Sequence, residues 1–125
     1  MSQKEKGSNA ERELIHLFWA NNWTACRVAG SGSMHYPAPD IIAGIQNRKL
    51  AIECKSGKSS AIYLEKQEVA ELISYANSFG AEPLIAVRFF RTDWFFLELK
   101  DLKETNKNFV VRKDFAEKIG RTFSQ

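Results

Sequence analysis

Apolar residues near the start of the chain recur at the spacing of one helix face. Leu14, Leu17 and Phe18 lie three and four positions apart, as in an amphipathic helix. Ser8 followed by Glu11 matches a capping box, in which the serine is the N-cap and the glutamate reaches back to the backbone. The pattern therefore predicts a first helix that begins at Ser8 and ends near the asparagines at positions 21 and 22.

Short apolar runs bounded by turn residues follow this helix and predict β-strands. In chain order, the predicted elements are strands over residues 23–28, 40–44 and 50–55, a helix over 64–79, strands over 83–90, 94–99 and 109–111, and a helix over 113–119. The inner face predicted for the 64–79 helix is Val69, Leu72, Ile73 and Ala76. This order predicts an α/β sandwich with a central mixed β-sheet flanked by helices.

The length and composition indicate one globular domain. The 125 residues suffice for a single core, with residues 1–6 as a flexible tail. No apolar run approaches the roughly 18 residues that a membrane span needs, and the polar start lacks the apolar stretch of a secretory signal. We therefore expect a cytoplasmic protein without a membrane partner. The net charge of +3 allows a polyanionic partner but does not require one.

Charged side chains converge at the strand predicted over residues 50–55. Because side chains alternate along a strand, Glu53 and Lys55 project side by side, on the face opposite Ile52. Asp40 opens the preceding predicted strand, and the pairing of a short hairpin between the two strands places it beside Glu53. The sequence thus predicts two carboxylates and a lysine at one edge of the sheet.

This group of side chains suits metal-dependent phosphodiester hydrolysis. Asp40 and Glu53 offer the hard oxygen ligands that Mg²⁺ prefers. Lys55 can orient or help deprotonate a metal-activated water and stabilise the developing charge. Spacing alone slightly favours a plainer interpretation, in which Glu53 and Lys55 are an exposed charge pair and Asp40 is a turn residue.

Four short segments in a fixed order give the group its context. They read GSNAEREL at 7–14, RVAGS at 27–31, PDIIAG at 39–44 and AIECK at 51–55. Each is weak alone, but together they resemble the archaeal Holliday junction resolvases, within the PD-(D/E)xK nuclease superfamily. The similarity covers roughly residues 5–100.

The resemblance implies a homodimeric endonuclease that binds four-way DNA junctions and resolves them by paired symmetric nicks, with Mg²⁺ as cofactor and Mn²⁺ as a substitute. It implies catalytic roles for Glu11, Asp40, Glu53 and Lys55, with the three acids as metal ligands. The DNA-binding residues that we expect are Arg12, Arg27, Ser31, Ser33, Lys58 and Gln67. Gln67 matches a position near the site where many nucleases of the superfamily carry a glutamine.

Three of these positions have competing interpretations. Glu11 is either an active-site acid or the capping-box partner of Ser8. The glycine- and serine-rich segment at 30–33 either holds a phosphate or is a flexible linker. His35 either acts as a general base or stacks on a nucleotide, or it simply faces solvent.

The segment 89–97 carries aromatic residues on both faces of its predicted strands. Both faces therefore need to be covered, and we expect a second subunit to cover one of them. Two further functions stay open. One is a repair or restriction-type nuclease of the same fold acting on linear or damaged duplex DNA, and the other is a non-catalytic DNA-binding module.

Overall fold

The computed structural model of the chain describes residues 3–28 and 36–123, with side chains from Asn9 onward. Its elements are α1 (Gln3–Ala20), β1 (Thr24–Arg27), β2 (Ile41–Ile45), β3 (Arg48–Ser56), β4 (Ala61–Glu65), α2 (Lys66–Phe79), β5 (Glu82–Arg88), β6 (Trp94–Leu97), a 3₁₀ turn (Leu99–Asp101), β7 (Lys103–Glu104), β8 (Asn108–Arg112) and α3 (Lys113–Ile119). Every predicted helix and strand is present, and β4 and β7 are additional. Within the described residues, no helix combines the length and the apolar character of a membrane span.

The main sheet has five strands in the order β1-β2-β3-β5-β6. The pair β3 and β5 is parallel and the other neighbours are antiparallel, so the predicted central mixed sheet is confirmed. The predicted hairpin is also confirmed, because β2 and β3 pair antiparallel with Ile41 opposite Ile52. Asp40 and Glu53 are the next positions in this register and therefore lie side by side at the end of the hairpin.

A second, three-stranded sheet in the order β4-β8-β7 was missed by the sequence analysis. The predicted helix start at residue 64 is wrong, since residues 61–65 form β4 and α2 begins at Lys66. Buried Ile62 and Leu64 flank exposed Tyr63, which is the two-residue period of a strand and not the period of a helix. A capping box between Glu65 and Glu68 then starts α2.

The first helix begins earlier than predicted. It starts at Gln3, so the tail expected over residues 1–6 is helical from that residue onward. Ser8 lies inside the helix and is not its N-cap, because the lysines and glutamate at positions 4–6 favour a helix and let it extend. The end is as predicted, at Ala20, followed by Asn22 in the left-handed conformation with φ 69°.

Two hydrophobic clusters cover opposite faces of the main sheet. One packs α1 through Leu14 and Phe18 against the sheet, with Ile52 of β3 among its members. The other packs α2 and the second sheet against the opposite face and includes Ala51 of β3. Val69, Leu72 and Ala76 form the buried face of α2, whereas Ile73 is 37% exposed, so its prediction as an inner residue is wrong.

The aromatic segment at 89–97 is covered on both sides within one chain. Phe89, Phe95 and Leu97 belong to the cluster beside α2, and Trp94 and Phe96 pack with the cluster beside α1. Neither face needs a second subunit to cover it, because the main sheet is sandwiched between two layers of the same chain. The expectation that a second subunit contacts this segment stays a prediction.

Candidate active site

A pocket of about 1010 Å³ lies where four parts of the fold meet: α1, the β2–β3 hairpin, the start of α2 and the turn after β5. All four residues predicted to be catalytic line it, as does Lys58. Its charged lining consists of Glu11, Glu13, Asp40, Glu53, Lys55, Lys58, Glu68, Arg88 and Arg91. The fold thus gathers at one place carboxylates from three different elements.

Asp40 and Glu53 form a carboxyl pair in which Glu53 is buried and Asp40 is partly buried. The Asp40 backbone N–H donates to the Ile52 carbonyl at 2.9 Å, and the Cys54 backbone N–H donates to Asp40 Oδ2 at 2.8 Å. Both bonds tie Asp40 to β3, and the second one orients its side chain. The Glu53 side chain shares a hydrogen bond with Asp40, and Glu53 is only 8% exposed.

The environment of this pair favours the protonated form. Burial, together with the neighbouring carboxylates of Asp40 and Glu68, raises the pKa of Glu53 to about 9. Burial also raises the pKa of Asp40, and the hydrogen bonds from Cys54 and Glu53 oppose that rise. At neutral pH the environment therefore favours one proton shared by the two carboxyl groups.

The donor set fits a divalent cation. Two adjacent carboxyl groups, one buried and one partly buried, are hard oxygen donors. A cation between them would replace the proton that burial now favours. Over the described ranges, no group of three or more His, Cys, Asp or Glu side chains forms a ready ligand set. Mg²⁺ is commonly held by one or two carboxylates with waters completing its octahedron, so the pair suffices.

Replacing Glu53 with glutamine should make the metal-free protein less sensitive to pH. Because the folded pKa of Glu53 is raised from 4.5 to about 9, its stabilising contribution is complete below pH 4.5 and is lost as the pH rises towards 9. In EDTA, the unfolding free energy of the wild type should fall relative to Glu53→Gln by up to about 4 kcal/mol between pH 5 and pH 8.

Urea unfolding at several pH values measures this difference, and the matched control is Glu117→Gln, at an exposed glutamate of α3. Parallel curves for the wild type and Glu53→Gln would contradict the raised pKa. Added Mg²⁺ should stabilise the wild type more than Glu53→Gln, since binding to the native state raises stability.

Lys55 is held at the pocket by an acid that the sequence analysis missed. Lys55 Nζ lies 2.7 Å from Glu68 Oε2. Burial lowers the pKa of Lys55, but the hydrogen bond to Glu68 and the nearby carboxylates outweigh it and leave the pKa raised. Burial raises the pKa of Glu68, while the hydrogen bonds from Lys55 and from the Glu65 backbone lower it, and the net shift is downward. The pair therefore stays ionised.

Gln67 does not lie where the sequence analysis expected it. Its Nε2 donates to Glu71 Oε1 at 3.2 Å on the exposed surface of α2, and it does not line the pocket. Neighbouring helix residues point about 100° apart, and here Glu68 lines the pocket whereas Gln67 does not. The capping box that starts α2 was the feature that could have identified Glu68.

Glu11 lines the pocket, but its carboxylate forms a salt bridge with Arg27. Arg27 Nε donates to Glu11 Oε2 at 2.5 Å, which joins β1 to α1. The capping role for Glu11 is wrong, because Ser8 lies inside the helix. Its role as a metal ligand stays a prediction.

The other predicted DNA-binding residues fall into three groups. Arg12 is exposed, donates to Asn9 Oδ1 at 3.2 Å and lies outside the pocket lining. Lys58 is exposed and lines the pocket. Ser31, Ser33 and His35 lie outside the described residues, and their predicted roles remain predictions.

The pocket is also lined by an ion pair that the sequence analysis did not identify. Arg88 forms a salt bridge with Glu13, and Trp94 Nε1 donates to the same Glu13 oxygen at 3.1 Å. The Arg88 guanidinium also lies 5.5 Å from the centre of the Trp94 ring. These contacts hold the Arg88 guanidinium in place at the pocket, although Glu13 and Arg88 are 75 residues apart in the sequence. No local sequence pattern reports such a contact.

Known proteins match this chain over almost its whole length. The family model described as archaeal Holliday junction resolvase (Hjc) matches residues 2–122. A crossover junction endodeoxyribonuclease Hjc from Archaeoglobus fulgidus is 38% identical over 98% of this chain and 95% of its own length. The Hjc from Methanocaldococcus jannaschii is 33% identical over 93% of this chain and 88% of its own.

A solved structure agrees with these sequence matches. The crystal structure of Archaeoglobus fulgidus Hjc, described as a Holliday junction resolvase from an archaeal hyperthermophile, superimposes with a TM-score of 0.86 at 38% identity. The match covers 91% of this chain and 92% of that one. The chain belongs to the archaeal Holliday junction resolvase family.

Proposed function

We propose that this chain is a Mg²⁺-dependent endonuclease that resolves four-way DNA junctions. The observation that carries the proposal is the convergence of Asp40, Glu53 and Lys55 on one pocket in a chain of this family. A binding module would gain nothing from placing two adjacent carboxyl groups, one of them buried, where DNA phosphates are to be held. A phosphodiesterase needs them there to hold a cation.

Each residue of the group has a defined task in hydrolysis. Asp40 and Glu53 would hold Mg²⁺, and their mutual hydrogen bond keeps the two carboxyl groups together beforehand. When bound, Mg²⁺, with Mn²⁺ as a substitute, neutralises the phosphate and lowers the pKa of a bound water. Lys55 gives one hydrogen bond to Glu68 and keeps two N–H donors, which can orient the attacking water and stabilise a phosphoryl oxygen.

We also propose that the enzyme acts as a homodimer in the cytoplasm. A four-way junction has approximate two-fold symmetry, which an isologous dimer with two sites matches. In the 89–97 segment Phe89, Trp94, Phe95 and Leu97 are buried in the domain. A stable interface needs about 800 Å² per partner, so most of it must lie outside this segment. Cys26 and Cys54 are both free, as expected in a reducing compartment.

A supercoiled plasmid with an extruded cruciform tests paired cutting. Two cuts made within one binding event convert it to linear DNA, whereas single uncoupled cuts give nicked circles. We expect mainly linear product that requires Mg²⁺, and no cutting of the relaxed plasmid without the cruciform. Equal cutting of both plasmids would support the alternative of a linear-duplex nuclease, and no cutting of either would support a non-catalytic module.

A further inference from the structure

The turn between β5 and β6 presents a phenylalanine at the mouth of the active-site pocket. Phe90 is 55% exposed, although Phe89 and Trp94 on either side of the turn are buried. Phe90 and Arg91 line the same pocket as Asp40. The ring therefore contributes little to the domain core and lies beside the residues proposed to cleave DNA.

This turn is held firmly by its own hydrogen bonds. The Thr92 hydroxyl accepts from the Phe89 backbone N–H at 3.0 Å and lies 2.9 Å from the Asp93 carbonyl, to which it can donate. The Thr92 backbone N–H donates to the Phe89 carbonyl at 3.3 Å. Arg91 has φ 60°, a left-handed conformation that a residue other than glycine adopts only when its surroundings hold it there. The backbone that carries Phe90 is thus held in place.

The chemistry of the turn suits a nucleotide. The Arg91 guanidinium lies 5.0 Å from the centre of the Phe90 ring, a cation–π contact that leaves more than half of the phenylalanine exposed. An aromatic face with an arginine beside it is a combination that stacks on a base and contacts the sugar-phosphate backbone. In linear duplex DNA the base faces are covered by stacking, whereas at a branch point the last base pair of an arm can expose a face.

We propose that Phe90 stacks on a base exposed at the branch point of the DNA junction, while Arg91 contacts the backbone of the same strand. The inference rests on the proposed junction endonuclease function and deepens it, because it assigns to this turn the preference for branched over linear DNA. Phe90 is a specificity-determining residue in this account and takes no part in the chemical step.

Binding by Asp40→Asn proteins, which should not cleave, isolates this contact. Adding Phe90→Ala should weaken binding to a synthetic four-way junction by about tenfold and change binding to linear duplex of the same sequence by less than about twofold. Phe90→Trp should restore junction binding, because it keeps an aromatic face. Phe90→Leu should not, although it keeps an apolar side chain. Equal junction binding by the alanine or leucine variant and its parent would overturn the proposal.

Phe115→Ala is the matched control, since Phe115 is 41% exposed on α3 and lines a different cavity. It should leave junction binding unchanged, and a loss equal to that of Phe90→Ala would show a general effect and sink the assignment. The proposed endonuclease function and the proposed stacking role of Phe90 can be rejected separately. If the wild type cuts no junction, the proposed function is wrong, whereas junction cutting with unaltered binding by Phe90→Ala rejects only the stacking role.

Discussion

Replacing Asp40 with asparagine should lower junction cleavage by about 1,000-fold while junction affinity changes by less than about threefold. The variant keeps an oxygen that can accept from the Cys54 backbone N–H, as Asp40 Oδ2 does at 2.8 Å, so the hairpin should retain its geometry. It removes one of the two charged oxygen ligands proposed for Mg²⁺. Loss of about 4 kcal/mol of transition-state stabilisation corresponds to this reduction in rate.

Single-turnover cleavage and electrophoretic binding to the same junction separate the two effects. The matched control is Asp114→Asn, at an exposed aspartate of α3 outside the pocket lining, and it should cleave at the wild-type rate. Cleavage by Asp40→Asn at more than a tenth of the wild-type rate would contradict the placement of the metal at Asp40. A large loss of binding would instead indicate that the variant is misfolded or that DNA contacts Asp40 directly.

Replacing Lys55 with alanine should reduce the single-turnover rate by about 100-fold at saturating enzyme, with little change in junction affinity. A donor aimed at charge that develops in the transition state typically contributes this much. Lys55 is half-buried and bonded to Glu68 at 2.7 Å, so its ammonium is already in place before the substrate binds. Little reorganisation is then needed at the moment of reaction.

Glu68→Gln tests how far the contribution of Lys55 depends on the charge of its partner Glu68. The glutamine keeps an oxygen for the Lys55 N–H but loses the charge of the ion pair, so we expect a loss of about tenfold or less, smaller than that of Lys55→Ala. Lys103→Ala, at an exposed lysine of β7, controls for a general change in positive charge. Equal rates for Lys55→Ala and the wild type would remove Lys55 from the chemical step.

The sequence predicted the centre of the site because that centre depends on local rules. The two-residue period of a strand places Glu53 and Lys55 on one face, and a short hairpin places Asp40 beside Glu53. The family resemblance supplied the function, since the spacing alone slightly favoured an exposed charge pair. The burial that separates these interpretations, with Glu53 only 8% exposed, depends on the packing of α2 and is not a local property.

Several of the incorrect and missing predictions depend on tertiary contacts. Residues 61–65 show the two-residue period of a strand over only five residues, directly before a helix, and their partner β8 is distant in sequence. Glu13 and Arg88 meet only because α1 crosses the sheet near β5. The aromatic segment looked like an interface because its sequence shows two apolar faces. The sequence of the segment alone does not show that the same chain supplies both covering layers.

Cleavage of a synthetic four-way junction, with Mg²⁺ and with EDTA, tests the central claim most directly when linear duplex of the same sequence is assayed beside it. We predict Mg²⁺-dependent nicks at symmetric positions on two opposing strands. The rate on the junction should be at least about tenfold higher than on the duplex, a preference of about 1.4 kcal/mol. Cleavage that persists in EDTA, or that is equally fast on both substrates, would contradict it.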